Sequence, residues 1–416
     1  MRIAIAVGDD VLADGAYEDC AQLCAALATH GHDVTAYVRR QDQQSPDVAA
    51  AQGYRTVSVC AGPPAPVSPP AALPYVGDWA AKLASLWAAE PPDIVHTHGW
   101  LGGLAAQLAA RAKGLPTVQS FFGLAPTTAP GLDFGDTERA RLEPLLARNA
   151  TWVTGGSNDE VDALAKLRHN RARLSVLPTG VDVERYSPVG PHLLDDGHYR
   201  IVCLGLNPLL DNGFDRMVRA LPRLPGTELV IAETAPPDAR HDKERAGLMT
   251  LAAKLGVRDR IRFMGTVAAD ELPALLRSAD VVACTPRQSP RATAALAAMA
   301  SGVVVVAVDV GALTDTVVQS VTGMVVSANN PNELITALKA LQAQGFQRQS
   351  MGAAGRSRAA SRFTWHRIAL DALHIYQQAN SLPRPINAAQ PPQPTSGQLA
   401  SKRPSGPRGE RRVLLR

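Results

Sequence analysis

Short apolar runs that read as strands alternate with helical stretches along almost the whole chain, and the alternation runs through twice. In the first pass, Arg2 to Gly8 is a strand, and the loop GDDVLADGAYED leads into a helix ending near His30-Gly31. DVTAYVRR, DIVHTH, LPTVQSFF and ATWVTGGS follow as further strands, with a Gly-rich turn and the alanine-rich helix GLAAQLAARAKG after DIVHTH. The pattern then restarts. YRIVCLGL, ELVIAE, IRFMG, ADVVACTP, GVVVVAV and GMVVS are six strand candidates between residues 200 and 328, separated by helical segments. Such alternation predicts parallel sheets covered by helices on both faces. The expected class is therefore α/β, with two doubly wound domains facing a cleft. Ligands of such sheets sit at the carboxyl ends of the strands. PVGPHLLDDG breaks the periodicity, so the domains are expected at residues 1–190 and 191–363, followed by an amphipathic helix over 364–380.

At 416 residues the chain is long enough for two cores. Its 46% hydrophobic and 19% charged content is that of a globular protein. No apolar run approaches the roughly 20 residues that span a bilayer, and MRIAIAVGDD lacks a basic leader, so a cytoplasmic location is expected. The five cysteines (Cys20, Cys24, Cys60, Cys203, Cys284) show no metal-ligand or redox spacing and are expected to be buried, inert thiols. No metal or cofactor is implied.

From Ser381 onward Pro, Gly, Ser and Gln dominate, which predicts a disordered tail over 381–416. Arg384, Lys402, Arg403, Arg408, Arg411, Arg412 and Arg416 stand there against Glu410, a balance of +6. With +4 over the whole chain, the body is left at −2, which offers no footprint for specific nucleic-acid binding. The tail is either a solvated extension or a contact to an acidic partner or an anionic membrane surface, which would make the protein peripheral.

Several stretches carry a resemblance. HTHGWLGGLAA at 96–106 is similar to an H-x-H-x-W-L-x-G turn, and LPTGVDVERYSPVG at 177–190 to a P-x-G-V-D-x-x-x-[FY]-x-P linker. RFMGTVAADELPALLRSADVV at 262–282, Leu296 to Gly302 (L-E-A-M-A-C-G) and VDVGALTDTVVQSVTG add three more. Together, from Met1 to about Ala379, they resemble the retaining family-4 glycosyltransferases of GT-B fold, and most nearly the inositol-phosphate N-acetylglucosaminyltransferases of mycothiol synthesis. The resemblance implies two Rossmann-like domains, a nucleotide-diphosphate sugar as ligand, and a closing helix at 364–380 that returns to the first domain. Gly15 falls where the family's Gly-rich turn approaches the donor, and His96 and His98 are expected to line the cleft.

The charged positions of that family are missing here. Its G-R-x-x-x-x-x-K-G pattern, which grips the diphosphate, is GLNPLLDNG at 205–213: Gly205 and Gly213 stand, but Leu206 replaces the arginine and Asn212 the lysine. Its two glutamates, eight residues apart, fall on Ser289 and Ala297. Its histidine facing the reacting sugar, in a T-x-H-x-L turn, falls on Phe122 of SFFGL. A leaving diphosphate gathers negative charge that donors must stabilise. The expectation is thus a transferase scaffold with an impaired site, serving as a binding or regulatory homologue. The alternative is an active transferase in which Arg287 and Arg291, ahead of a helix beginning near Ala292, hold the phosphates. A third reading is an adaptor acting through 381–416. Trp100 and Trp365 read as packing residues, and no nucleophile-elbow spacing supports a hydrolase.

Overall fold

A computed structural model describes residues 1–13, 15–44, 46–125, 134–194, 196–236, 238–289 and 291–382. The tail expected over 381–416 lies almost wholly outside them. Two sheets organise the rest. The first holds β1 (Arg2–Val7), β2 (Asp33–Arg39), β3 (Val48–Ala51), β4 (Tyr54–Val59), β5 (Ile94–His98), β6 (Thr117–Ser120), β7 (Trp152–Gly155) and β8 (Leu174–Val176), in the order β3-β4-β2-β1-β5-β6-β7-β8. Every neighbouring pair is parallel except β3 with β4. The second sheet is all parallel, from β9 (Tyr199–Gly205), β10 (Thr227–Glu233), β11 (Ile261–Thr266), β12 (Val281–Cys284), β13 (Val304–Val308) and β14 (Gly323–Val326), in the order β11-β10-β9-β12-β13-β14. These six strands coincide with the six expected from the sequence.

The strand sequences explain the layering. A parallel strand is buried on both faces and reads as a continuous apolar run. RIAIAV (β1) is buried from Ile3 to Val7, and VVVAV (β13) throughout. The helix Thr293–Ala300, TAALAAMA, is buried on nearly every side, which accounts for its all-apolar composition.

Chain order reverses direction at β1/β5 in the first sheet and at β9/β12 in the second. At such switch points the following loops part and leave a crevice beyond the strands' carboxyl ends. The helix Trp365–Asn380 lies far along the chain yet packs in the first domain's core. Ile368, Ala372, Ile375 and Tyr376 meet Cys20, Leu23, Cys24 and Leu27 of the helix Tyr17–Thr29. Thr364 caps it by accepting from the Arg367 backbone N–H at 3.2 Å. Beside it the linker crosses: Val181 N donates to Phe363 O at 2.7 Å.

Four of the cysteines are buried, and desolvation pushes the Cys24 and Cys284 thiols up to about 12. Cys60 departs from the expectation. It follows β4 at the sheet's outer region and is exposed. None of the described helices is long and apolar enough to cross a membrane.

Candidate functional site

Between the sheets lies a cleft of about 450 Å³. Its second-domain wall includes the loop after β9 (Gly205, Leu206, Asn207, Asp211, Asn212), with Thr285, Pro286, Gln288, Ser289 and the residues from Arg291 to Ala295. Gly15 and Phe122 close it from the first domain. Among the described lining residues the formally charged side chains are Asp211 and Arg291.

Leu206 ends the run after β9 and packs toward the opposite domain; a Cβ at Gly15 would lie 2.8 Å from its Cδ1. Asn212 Nδ2 donates to Asn207 Oδ1 at 2.9 Å, a neutral pair where a cation would face a diphosphate. Ser289 donates from Oγ to the Arg291 carbonyl at 2.9 Å, and its own carbonyl accepts from Ala312 N at 2.8 Å. It shapes the turn that leads into the helix Thr293–Ala300.

Arg291 reaches across the cleft. Its Nη1 lies 3.1 Å from Asp19 Oδ2, and its guanidinium 5.6 Å from the centre of the Phe122 ring. Arg287 turns the other way, donating from Nη1 to Leu210 O at 2.8 Å and pairing with Asp215 at 3.2 Å. Phe122 is stacked on His98, ring centres 5.5 Å apart.

The sequence-derived positions therefore divide. Gly15, Phe122, Gly205, Leu206, Asn212, Ser289 and Arg291 line one cleft. Arg287, Gly213 and Ala297 lie outside its lining; Ala297 is in the hydrophobic core and Gly213 presses against the Thr285 carbonyl. The expectation that His96 lines the cleft needs correction. Side chains two apart on a strand share a face, so His96 and His98 lie together, rings 4.1 Å apart, on the face covered by the helix Trp365–Asn380. That helix roofs His96: its Nδ1 bonds Tyr376 Oη at 2.7 Å and its Nε2 bonds Ser120 Oγ at 2.7 Å. His98, one pleat further on, reaches a smaller pocket beside the cleft. Desolvation lowers both imidazoles, that of His98 to about 3, so both are neutral.

Two contributors went unread in the sequence. Asp19, in the first turn of the helix Tyr17–Thr29, accepts from Arg291 and from Thr179 Oγ1 at 3.3 Å. Burial raises its carboxyl, against the opposing pull of Arg291. Glu160 accepts from Gly123 N at 3.0 Å and Gly156 N at 2.7 Å, pinning the loop that carries Phe122. An acidic residue in a helix's first turn was the only local signal for either. Among the described residues no group of three His, Cys, Asp or Glu stands together as for a metal.

Two facing Rossmann-like domains with an interdomain cleft at their switch points make up the GT-B architecture. Residues 14–180 match the glycosyl transferase 4-like domain and residues 207–358 the glycosyl transferases group 1 domain, and the chain belongs to this family. A D-inositol 3-phosphate glycosyltransferase of Xylanimonas cellulosilytica is 31% identical over 384 residues, 86% of this chain and 90% of that protein. One from Stackebrandtia nassauensis is 30% identical over 390 residues, 86% and 85% of the two chains. Among solved structures, sucrose-phosphate synthase from Thermosynechococcus elongatus superposes with a TM-score of 0.80 at 23% identity, covering 91% of this chain and 98% of that one. Anabaena HepE, in complex with UDP and glucose, gives 0.71 at 16%, covering 91% and 100%.

Proposed function

We propose that this protein keeps the glycosyltransferase scaffold but is impaired in transfer, and that it acts as a binding or regulatory homologue. The observation that carries this reading is the cleft's charge: Arg291 is the one cationic side chain among its described lining residues, and it is paired with Asp19. A nucleotide-diphosphate sugar is the ligand class of this reading, in line with Anabaena HepE, which is solved in complex with UDP-glucose. Each charged hydrogen bond missing at Leu206 and Asn212 is worth about 1.5–3 kcal/mol, so diphosphate affinity falls by roughly 10²–10⁴. Asp211 adds repulsion. Isothermal titration with uridine and guanosine diphosphate sugars, alone and with inositol phosphate as acceptor, tests it. Micromolar donor binding with turnover overturns it.

One observation favours the alternative of an active, remodelled donor site. Arg291 stands beside the N-terminus of the helix Thr293–Ala300, whose N-cap, Ala292, offers no side-chain hydrogen bond. Free amide groups at a helix N-terminus attract phosphate. In that case replacing Arg287 and Arg291 together by Ala abolishes donor binding; unchanged binding removes the alternative. The basic segment 381–416 belongs to the proposal as a tether to an acidic partner or anionic surface, and its deletion should release the protein from either.

A further inference from the structure

The helix Phe214–Ala220 borders two separate spaces. Phe214, at its start, lines the main cleft, whereas Arg216, Arg219 and Ala220 line a cavity of about 100 Å³ that shares no lining residue with the cleft. The opposite walls are Val308 at the end of β13, Ser327 and Ala328 just after β14, and the start of the helix Pro331–Ala343. The cavity therefore lies within the second domain, at the carboxyl ends of its last two strands.

Its lining is apolar below and cationic at the rim. Ala220, Val308, Leu334 and Ile335 are all buried core residues that face it. An engineered apolar cavity of about 150 Å³ takes benzene, so this one takes roughly four carbon atoms. Among the described lining residues the charged side chains are Arg216 and Arg219, one helical turn apart. Arg219 is exposed and stands 3.8 Å from Asp215, too far for a hydrogen bond. Nearby carboxylates are turned to other partners: Asp309 accepts from Ala328 N at 2.7 Å, Glu333 from Ser327 N at 2.9 Å, and Asp215 pairs with Arg287 at 3.2 Å. None of the three lines the cavity.

That pairing of surfaces selects a ligand. A hydrocarbon would leave both guanidinium groups unused, and a bare anion would leave the apolar floor unfilled. A short aliphatic tail ending in a carboxylate meets both demands, because the arginine fork matches the two carboxylate oxygens. Arg216 also links the cavity to the cleft. Its Nη1 donates to Thr285 O at 3.5 Å and Pro286 O at 3.4 Å, long bonds to two residues of the cleft wall. A carboxylate that draws Arg216 toward the cavity loosens that wall, a few residues before Ser289 and Arg291.

We infer that this cavity is a second binding site, for a short aliphatic carboxylate, and that it acts on the cleft through Arg216. The ligand lies outside the cleft, so the inference holds whether or not the cleft transfers a sugar.

The test uses the full chain. Methyl NMR signals of Ala220, Ala328, Leu334 and Ile335 are followed as isovalerate, whose branched tail is of the right size, is added. Acetate supplies the charge without the tail, and isopentanol the tail without the charge. Isovalerate should move these methyls saturably, and each control should bind at least about tenfold more weakly. The backbone amides of Thr285 and Arg287 should shift in step. Arg216→Gln should weaken isovalerate binding by about tenfold and leave those two amides still. Ala328→Leu, which fills the cavity, should abolish binding. In the parent chain, the lack of a saturable shift, or an equal response to either control, overturns the site whether or not a variant folds. Thr285 and Arg287 amides that stay still in the parent overturn its action on the cleft.

Discussion

Arg291 Nη1 lies 3.1 Å from Asp19 Oδ2, joining the two domains across the cleft by residues 272 positions apart. The ion pair is enclosed, with the arginine side chain 18% and the aspartate 12% exposed. Thr179, on the linker between the domains, bonds the same carboxylate oxygen. The one cation among the cleft's described lining residues is thereby also its clasp. Any anionic ligand that engages Arg291 must compete with Asp19.

The two partners should not contribute equally. Removing Arg291 leaves a carboxylate in a place where burial already raises its pKa. Breaking such a pair from the cationic side is predicted to cost about 2–3 kcal/mol at neutral pH, somewhat below the range for fully buried pairs. Asp19→Asn should cost less, because the released guanidinium can turn into the open cleft. Urea unfolding of Arg291→Ala and Asp19→Asn measures both; equal losses would contradict the asymmetry.

Glu160 predicts a pH dependence. Desolvation lifts its carboxyl from the usual 4.5 to about 7, against the backbone N–H bonds from Gly156 and Gly123 that pull it down. A folded pKa above the unfolded one means that the folded state binds the extra proton between those values. Stability from this group is full below pH 4.5 and is lost as pH rises to about 7, by on the order of 3 kcal/mol at most. His98, lowered to about 3, works in the opposite sense, its stability present above pH 6.5 and lost on acidification. The difference between the parent and Glu160→Gln therefore isolates the carboxyl. Their unfolding free energies should lie closest near pH 4.5, where the carboxyl is neutral like the amide, and separate as pH rises to 8, the parent losing stability relative to the variant.

Much of the fold was legible, because βα alternation is a local pattern and the six apolar runs after residue 199 are each long enough to stand out. The hairpin of β3 and β4 was not. Val48–Ala51 reads VAAA, small side chains without strand alternation. Arg39 was read only as the end of a strand, yet it is 2% exposed and forks onto Asp9 at 2.7 and 2.8 Å, with the carbonyls of Pro63 and Ala65 around it. Its partners lie 24 to 30 residues away, beyond any local window. The site divided in the same way. Motif spacing placed Leu206, Asn212 and Ser289 in the cleft, whereas the burial of His96 and the reach of Arg291 depend on a helix and a domain packed from elsewhere in the chain.

If missing charge is what weakens donor binding, charge restored should recover it. Leu206 and Asn212 both line the cleft. Leu206→Arg with Asn212→Lys is predicted to raise uridine diphosphate affinity by roughly 10²–10⁴, with each single change giving about tenfold or more. Calorimetry at fixed ionic strength checks this. An unaltered affinity in the double variant would place the defect elsewhere.

Gly205 and Gly213 frame the same loop and look equivalent in sequence, but the structure makes them unequal. Gly213 has φ +70°, and a Cβ there would lie 1.8 Å from Thr285 O, a backbone atom at the start of the opposing loop. Thr285 Oγ1 also donates to Gly213 O at 3.0 Å, which ties the two loops together. Gly205 has no such conformation, and its added Cβ would meet only side-chain ends, Phe214 Cζ at 2.8 Å and Asn212 Oδ1 at 2.9 Å. The left-handed conformation alone costs a non-glycine residue about 1–2 kcal/mol, and a displaced backbone carbonyl adds to that. Gly213→Ala is thus predicted to lose about 3 kcal/mol or more, and Gly205→Ala about 1 kcal/mol, since its neighbours can rotate aside. Thermal unfolding ranks the two. Equal melting temperatures would mean that the loop bearing Leu206 and Asn212 is not held against Thr285.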